Sequence, residues 1–162
     1  MKLWIYRIFL ILCTCCVLGF ILYNSTRTSE QSAAISKDFT ETVVQVVKPE
    51  VESMEEQKKQ EVVVSLNDFL RSLAHVAEFI ALAFFIALLM FTFKFRYGRY
   101  AIPSVLVLLG CFAYALCDEL LQGTFQGRVP QITDVAMDTL GVAIGIVVAC
   151  AMDFLVVHCR KR

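Results

Sequence analysis

Charge is scarce in this sequence of 162 residues, and what there is cancels. Charged side chains make up 19% of the chain, with 15 Lys+Arg set against 15 Asp+Glu. A chain with no net charge offers no overall basic field for nucleic acid. Cysteine is missing from the whole polar stretch between Asn24 and Leu70, which excludes a disulfide framework there. The histidines are His75 and His158 alone, with no H-E-x-x-H pattern and no nucleophile beside a base. What abounds is apolar: 58% of residues by the AVILMFWYC count, with a mean hydropathy of +0.67. Soluble domains sit near about 45–50% even with glycine counted. The excess excludes a disordered protein, a collagen-like fibre and an ordinary soluble enzyme. The length allows one domain, and the composition is that of a small integral membrane protein.

Four apolar runs carry this reading: Leu3 to Tyr23, about Ser72 to Phe93, about Tyr100 to Leu121, and about Ile132 to Val157. A bilayer core of roughly 30 Å needs about 20 helical residues, and each run supplies them. The expected fold is an all-α integral membrane protein with four transmembrane helices and a polar extracytoplasmic linker after the first. The first run resembles a signal peptide in having Lys2 before it. Its apolar stretch is too long for a usual h-region, however, and no A-x-A-like site follows. It is expected to stay as an anchor, with Arg7 snorkelling to the near interface. Cys13, Cys15, Cys16, Cys111, Cys117 and Cys150 fall within the apolar runs and read as small polarizable space-fillers.

The chain then divides into an anchor (1–23), a hydrophilic linker (24–70), a three-helix unit (71–157) and a basic tail (158–162). Within the linker, VESMEEQKKQEVVV reads as a short surface helix with Glu55 and Lys59 spaced i,i+4. Asn24-Ser25-Thr26 fits the glycosylation sequon by pattern. Four spans put both termini on one side. Lys2, Arg7, Lys94, Arg96, Arg99, Arg160, Lys161 and Arg162 crowd short segments there, so the positive-inside rule predicts cytoplasmic termini. That side holds one acid, Asp153; the remaining acids fall on the other.

Polar groups inside the spans are the informative anomaly, since each charge at a helix centre costs about 2.5–3.5 kcal/mol on insertion scales. Arg71, His75 and Glu78 share a face of the second span by their i, i+4, i+7 spacing. Asp118, Glu119 and Gln122 end the third, while Asp134 and Asp138 begin the fourth. The topology brings these groups to one depth near the outer surface, with Arg128 in the adjoining loop. Two readings stay open. The groups neutralise one another and glue helices, or they form a pocket open to the outer leaflet that takes a cation, a proton or a cationic group. His75 and Glu78 with further carboxylates make an incomplete metal set, because no second histidine is near, and no metal is expected. Gly141 and Gly145 continue the stripe of Asp134 and Asp138 as a small-xxx-small packing surface.

The segment Arg71-Ser72-Leu73-Ala74-His75-Val76-Ala77-Glu78-Phe79 resembles the Arg-x-x-Ala-His-x-x-Glu-aromatic segment of the VanZ-like family of small bacterial membrane proteins. Tyr114-Ala115-Leu116-Cys117-Asp118-Glu119-Leu120-Leu121-Gln122 is similar to that family's Tyr-Ala-x-x-Asp-Glu-x-His-Gln. Gly127-Arg128 and Asp134-Val135-Ala136-Met137-Asp138-Thr139-Leu140-Gly141 follow in the family's order, so the likeness covers residues 71–145. Leu121 stands where many members carry histidine, which removes a proton carrier or ligand. Phe125 sits one place from the expected loop aromatic.

The resemblance implies a multi-pass protein of the bacterial cell membrane, in a family named for low-level teicoplanin resistance. The expected role is binding or accessory, at the cell envelope, with Arg71, His75, Glu78, Asp118, Glu119, Gln122, Arg128, Asp134 and Asp138 facing the ligand. Candidate ligands are a lipoglycopeptide or a lipid-linked cell-wall precursor, with membrane lipids as partners. No nucleic acid and no cofactor are expected, and an oligomer stays open. The alternative is an intramembrane enzyme acting on a lipid-linked substrate, with His75 or Glu78 as general base.

Overall fold

A computed structural model describes residues 2–27, 56–95, 98–125 and 131–159, with only the backbone at positions 56 and 59. Arg96, Gly127, Arg128, Glu55, the side chain of Lys59, the tail from 160 and linker residues 28–55 lie outside the described residues. Those described fold entirely into helices and their short connections. In chain order these are α1 (Leu3–Ser25), α2 (Glu56–Phe91), α3 (Ala101–Gln122) and α4 (Ile132–Cys159). All four are long and apolar enough to cross a membrane. The second begins well before the apolar run that predicted it. Residues 56–70, read as linker and short surface helix, continue without a break into the span, so the boundary at residue 71 falls inside one helix.

The core is a seam between α2 and α4, the pair with the most extensive contact. Gly141 and Gly145 sit on this seam as expected, for a steric reason. A Cβ at Gly141 would lie 2.6 Å from Val76 O and 3.2 Å from Phe79 Cβ, and one at Gly145 would overlap Ile80 O. Buried Ala83 and Ala87 on α2 and Ala149 on α4 extend the close approach. Phe79, Leu82, Val107, Cys111, Ala115 and Val142 fill the space around it. Pro103 lies in the first turn of α3, where its missing N–H would have had no intrahelical partner anyway.

Helix α1 is peripheral. It buries only Leu10, Ile21 and Ser25, and exposes Trp4, Ile8, Phe9, Leu12 and Phe20, side chains suited to lipid rather than water. The cysteines depart from the expected role, since only Cys111 is buried. Cys15, Cys16, Cys117 and Cys159 are exposed, and all seven are free thiols.

The two ends of the bundle are named here by their residues. At the basal end, Arg7 is held by the protein itself. Its Nε donates to Thr92 Oγ1 and its Nη2 to Thr92 O, both at 2.9 Å. The guanidinium also stacks 4.3 Å over the Phe93 ring. It thereby joins α1 to the C-terminal end of α2, where a cation meets the helix dipole favourably. Gly98, at φ 81°, supplies the left-handed residue in the link to α3. Arg99 then grips Asp153 of α4 through two bonds of 2.9 Å, and Tyr100 Oη donates to the same carboxylate at 2.9 Å.

Candidate functional site

At the apical end the last turns of α1 and α3 meet the first turns of α4 and the middle of α2. Helical periodicity puts Asp118 and Gln122 on one face of α3, one turn apart, and Gln122 Nε2 donates to Asp118 Oδ2 at 2.7 Å. The other oxygen, Asp118 Oδ1, lies 2.6 Å from Ser25 Oγ of α1. Ser25 Oγ also lies 2.8 Å from Ile21 O, so two acceptors compete for a single hydroxyl proton. Beside it, Asn24 Nδ2 donates to Glu78 Oε1 of α2 at 2.7 Å. Glu119 Oε1 accepts the backbone N–H of Gln131 at 2.6 Å, which ties the end of α3 to the start of α4.

These carboxylates are deeply placed: Asp118 and Asp138 are each 2% exposed and Glu119 is 7% exposed. Asp138, on the α4 seam one turn before Gly141, lies within electrostatic range of Asp118, Asp134, Glu119 and Glu78. Three buried atoms here have no hydrogen-bond partner: Glu78 Oε2, Tyr114 Oη and Asp138 Oδ1. They come from α2, α3 and α4. In a low-dielectric interior an unmatched polar atom costs about 1–3 kcal/mol, so this concentration of them is where the fold carries polarity that its packing does not use.

The residues expected from sequence divide as follows. Glu78, Asp118, Glu119, Gln122 and Asp138 converge. His75 Nδ1 stands 3.9 Å from Glu78 Oε2, at the margin. Asp134 is half-buried one turn outward of Asp138, and Arg71 is half-buried on α2 beyond His75. Arg128 lies outside the described residues. Three participants were missed. Tyr114 sits inside the quoted α3 motif and comes within electrostatic range of Asp118 and Glu78. Asn24 and Ser25 looked like the start of a linker. Their only signal was the abrupt appearance of two small polar residues at the end of an apolar run. The sequon reading of Asn24 gives way as well, because its amide nitrogen is engaged with Glu78 in a half-buried position.

Among the described residues no three His, Cys, Asp or Glu side chains are grouped to hold a metal ion. An open groove lined by Gln57, Gln60, Glu61, Val64, Ser65 and Asp68 runs along the first turns of α2 and takes in none of the site residues. The apical arrangement is thus an acceptor-rich, largely closed cluster suited to meeting donors or positive charge.

The family model described as VanZ/LLP1 matches residues 9–155. The chain belongs to the VanZ/LLP1 family. No curated protein and no solved structure matches it. The family match runs well beyond the 71–145 stretch of the motifs and takes in α1, so the VanZ/LLP1 region includes Asn24 and Ser25 together with the acids they contact. With four helices able to span a bilayer, this VanZ-family chain is a multi-pass membrane protein.

Proposed function

We propose that this VanZ-family protein is a binding or accessory component of a bacterial cell envelope, with its apical cluster turned outward and its termini in the cytoplasm. The orientation is supported by the crowding of basic residues in the short basal segments, Lys2, Arg7, Lys94, Arg96 and Arg99 among them. The observation that carries the reading is the approach of Glu78, Asp118 and Asp138 from three helices, with Asp138 Oδ1 left without a hydrogen-bond partner and Glu78 Oε2 facing His75 Nδ1 at 3.9 Å. Helix glue needs matched groups, whereas a binding site keeps acceptors in reserve. The ligand is an envelope molecule met at the outer leaflet, of the lipoglycopeptide or lipid-linked precursor kind. An enzyme reading is weaker. The hydroxyl nearest a carboxylate, Ser25 Oγ, is buried and within bonding distance of Ile21 O, a poor position from which to attack a lipid.

The test is the double substitution Asp118→Asn with Glu119→Gln, made in cells whose tolerance to teicoplanin depends on the protein. The expected result is loss of tolerance at unchanged protein level in the membrane. Unchanged tolerance would sink the reading.

A further inference from the structure

The basal end holds more positive charge than its described acid can answer. The basic side chains described there are Lys2, Arg7, Lys94 and Arg99, with His158 stacked on Phe154; the acid is Asp153. Asp153 is already taken, since Arg99 grips it at two points and Tyr100 donates to it. Arg7 meets only neutral partners, the Thr92 hydroxyl and carbonyl and the face of the Phe93 ring. Lys2 and Lys94 form no ion pair among the described residues. Arg7 is also held so that one edge stays open. Its Nε and Nη2 donate to Thr92, whereas Nη1 makes no hydrogen bond and is not among the buried atoms that lack one. That edge is therefore accessible, on a planar fork of donors fixed by two bonds and a stacked ring. A guanidinium so preorganised suits recognition of a phosphate.

The surroundings of Arg7 say which phosphate. Arg7 lies about one turn into α1, roughly 6 Å along the helix, where a span of this length meets the edge of a bilayer core. Leu3, Trp4 and Ile8 on α1 and Phe93 after α2 are exposed apolar side chains around it. A free anion would have to leave water to reach that edge. A phospholipid carries its phosphate at this depth already, with chains that cover the same apolar surface. Lys94 directly follows Phe93, on which the guanidinium stacks, and Lys2 directly precedes the first turn of α1. Their charge attracts a head group of net negative charge and repels the ammonium of a zwitterionic one.

We infer that the basal joint between α1 and α2 binds an anionic phospholipid, whose phosphate is held by the open edge of Arg7 with Lys2 and Lys94 attracting its charge. Thr92 and Phe93 position the guanidinium for it. This site is separate from the apical cluster and does not rest on the function proposed for that cluster.

Trp4 is the chain's only tryptophan, 59% exposed and one turn before Arg7, so its fluorescence reports on lipid at this position. The test reconstitutes the full chain in vesicles of phosphatidylglycerol and phosphatidylcholine, with bromine on the acyl chains of one or the other as the quencher. Both leaflets have the same composition, so the direction of insertion does not affect the reading. The expected result is that brominated phosphatidylglycerol competes for the position about tenfold better than brominated phosphatidylcholine, the scale of a few basic groups near an anionic head group. Equal quenching by the two lipids overturns the assignment without recourse to any variant. Arg7→Gln and Lys94→Gln should each reduce the preference severalfold. Lys94 is exposed, so its substitution tests the site even where loss of Arg7 loosens α1. A preference unchanged by Lys94→Gln overturns the site. Arg99→Gln with Asp153→Asn removes the neighbouring ion pair without changing net charge, and should leave the preference intact. A fall there as large as with Arg7→Gln would make the preference a property of the whole basic end and overturn the assignment to Arg7. Inorganic phosphate added at constant ionic strength should leave the quenching in place, and recovery of fluorescence would overturn lipid as the source of the phosphate.

Discussion

At its basal end the bundle meets a carboxylate with a guanidinium; at its apical end it meets carboxyl groups mostly with neutral dipoles. The Asp153 carboxylate receives two bonds from Arg99 and one from Tyr100, and Arg7 caps α2 through Thr92. Those groups are exposed or half-buried, and their geometry satisfies them. The apical carboxylates are more deeply buried, yet the hydrogen bonds that Glu78 and Asp118 receive come from amides and a hydroxyl, with His75 3.9 Å from Glu78, and Asp138 keeps an oxygen without a hydrogen bond. Both ends fasten α1 to the other helices. The basal end does so without leaving a buried atom unmatched among the described residues, so that joint reads as structure. The apical end does so at an electrostatic cost that packing alone would not select.

The largest expected effect comes from cutting the seam on which both ends depend. Gly145→Val would drive a branched side chain into the α2 backbone at Ile80 and Phe84. Overpacking of this kind should lower stability by about 3 kcal/mol, read as a loss of folded protein in denaturant titration. Gly110→Ala serves as the control, since a Cβ there meets nothing within 4 Å, and it should change little.

Next in size is a substitution that separates the two ends by sign. Asp138→Asn keeps the shape of the side chain and removes a buried carboxyl group that faces other acids and has an oxygen without a hydrogen bond. It should raise stability by about 1–2 kcal/mol while weakening the envelope binding proposed for this cluster. A stabilised variant that loses function would mark the apical polarity as retained for use. A destabilised variant would make it glue, like the basal pair, and erase the contrast.

Much of this was legible in the sequence, for identifiable reasons. The four spans follow from apolar runs longer than a bilayer requires. Gly141 and Gly145 declared a close helix approach through their spacing. Glu78, Asp118 and Asp138 stood out because acids are expensive in such runs. The contribution of α1 was not legible, because nothing in the local pattern around Asn24 and Ser25 says which helix they face. That depends on how α1 leans against α2 and α3, a packing outcome with no periodic signature. The start of α2 was misplaced for a related reason. Residues 56–70 are polar enough to read as linker, but a helix continues through polar sequence when nothing breaks it, and this stretch has neither Pro nor Gly. Arg7 stood out as a charge near the end of an apolar run, but its partner Thr92 is 85 residues away.

A smaller effect probes the joint between α1 and the acids. Ser25→Ala removes the hydroxyl facing Asp118 Oδ1 and leaves that oxygen without its partner from α1. Stability should fall by about 1 kcal/mol, and hydrogen exchange in the last turn of α1 should quicken while the core of α4 stays protected. If exchange quickened equally at the basal turns of α1, the helix would be moving as a rigid rod, and the two ends would not be separately fastened.

The smallest effect is the one that tests whether the basal pair is ordinary structure. Arg99 is 48% exposed at its side chain and Asp153 17%, so water and salt screen their attraction despite the two-point grip. Asp153→Asn should therefore cost only about 0.5 kcal/mol at low ionic strength, and the cost should shrink toward nothing as salt is raised to about 1 M, where charges more than roughly 3 Å apart are screened. The stability gained by Asp138→Asn should hold steady across the same salt series, because its neighbours are buried away from mobile ions. Measuring both variants by denaturant titration at several salt concentrations gives two lines, one sloping and one flat. Parallel lines would mean that the apical acids are as wet as the basal pair, and that their unmatched oxygens are met by solvent instead of being held for a ligand.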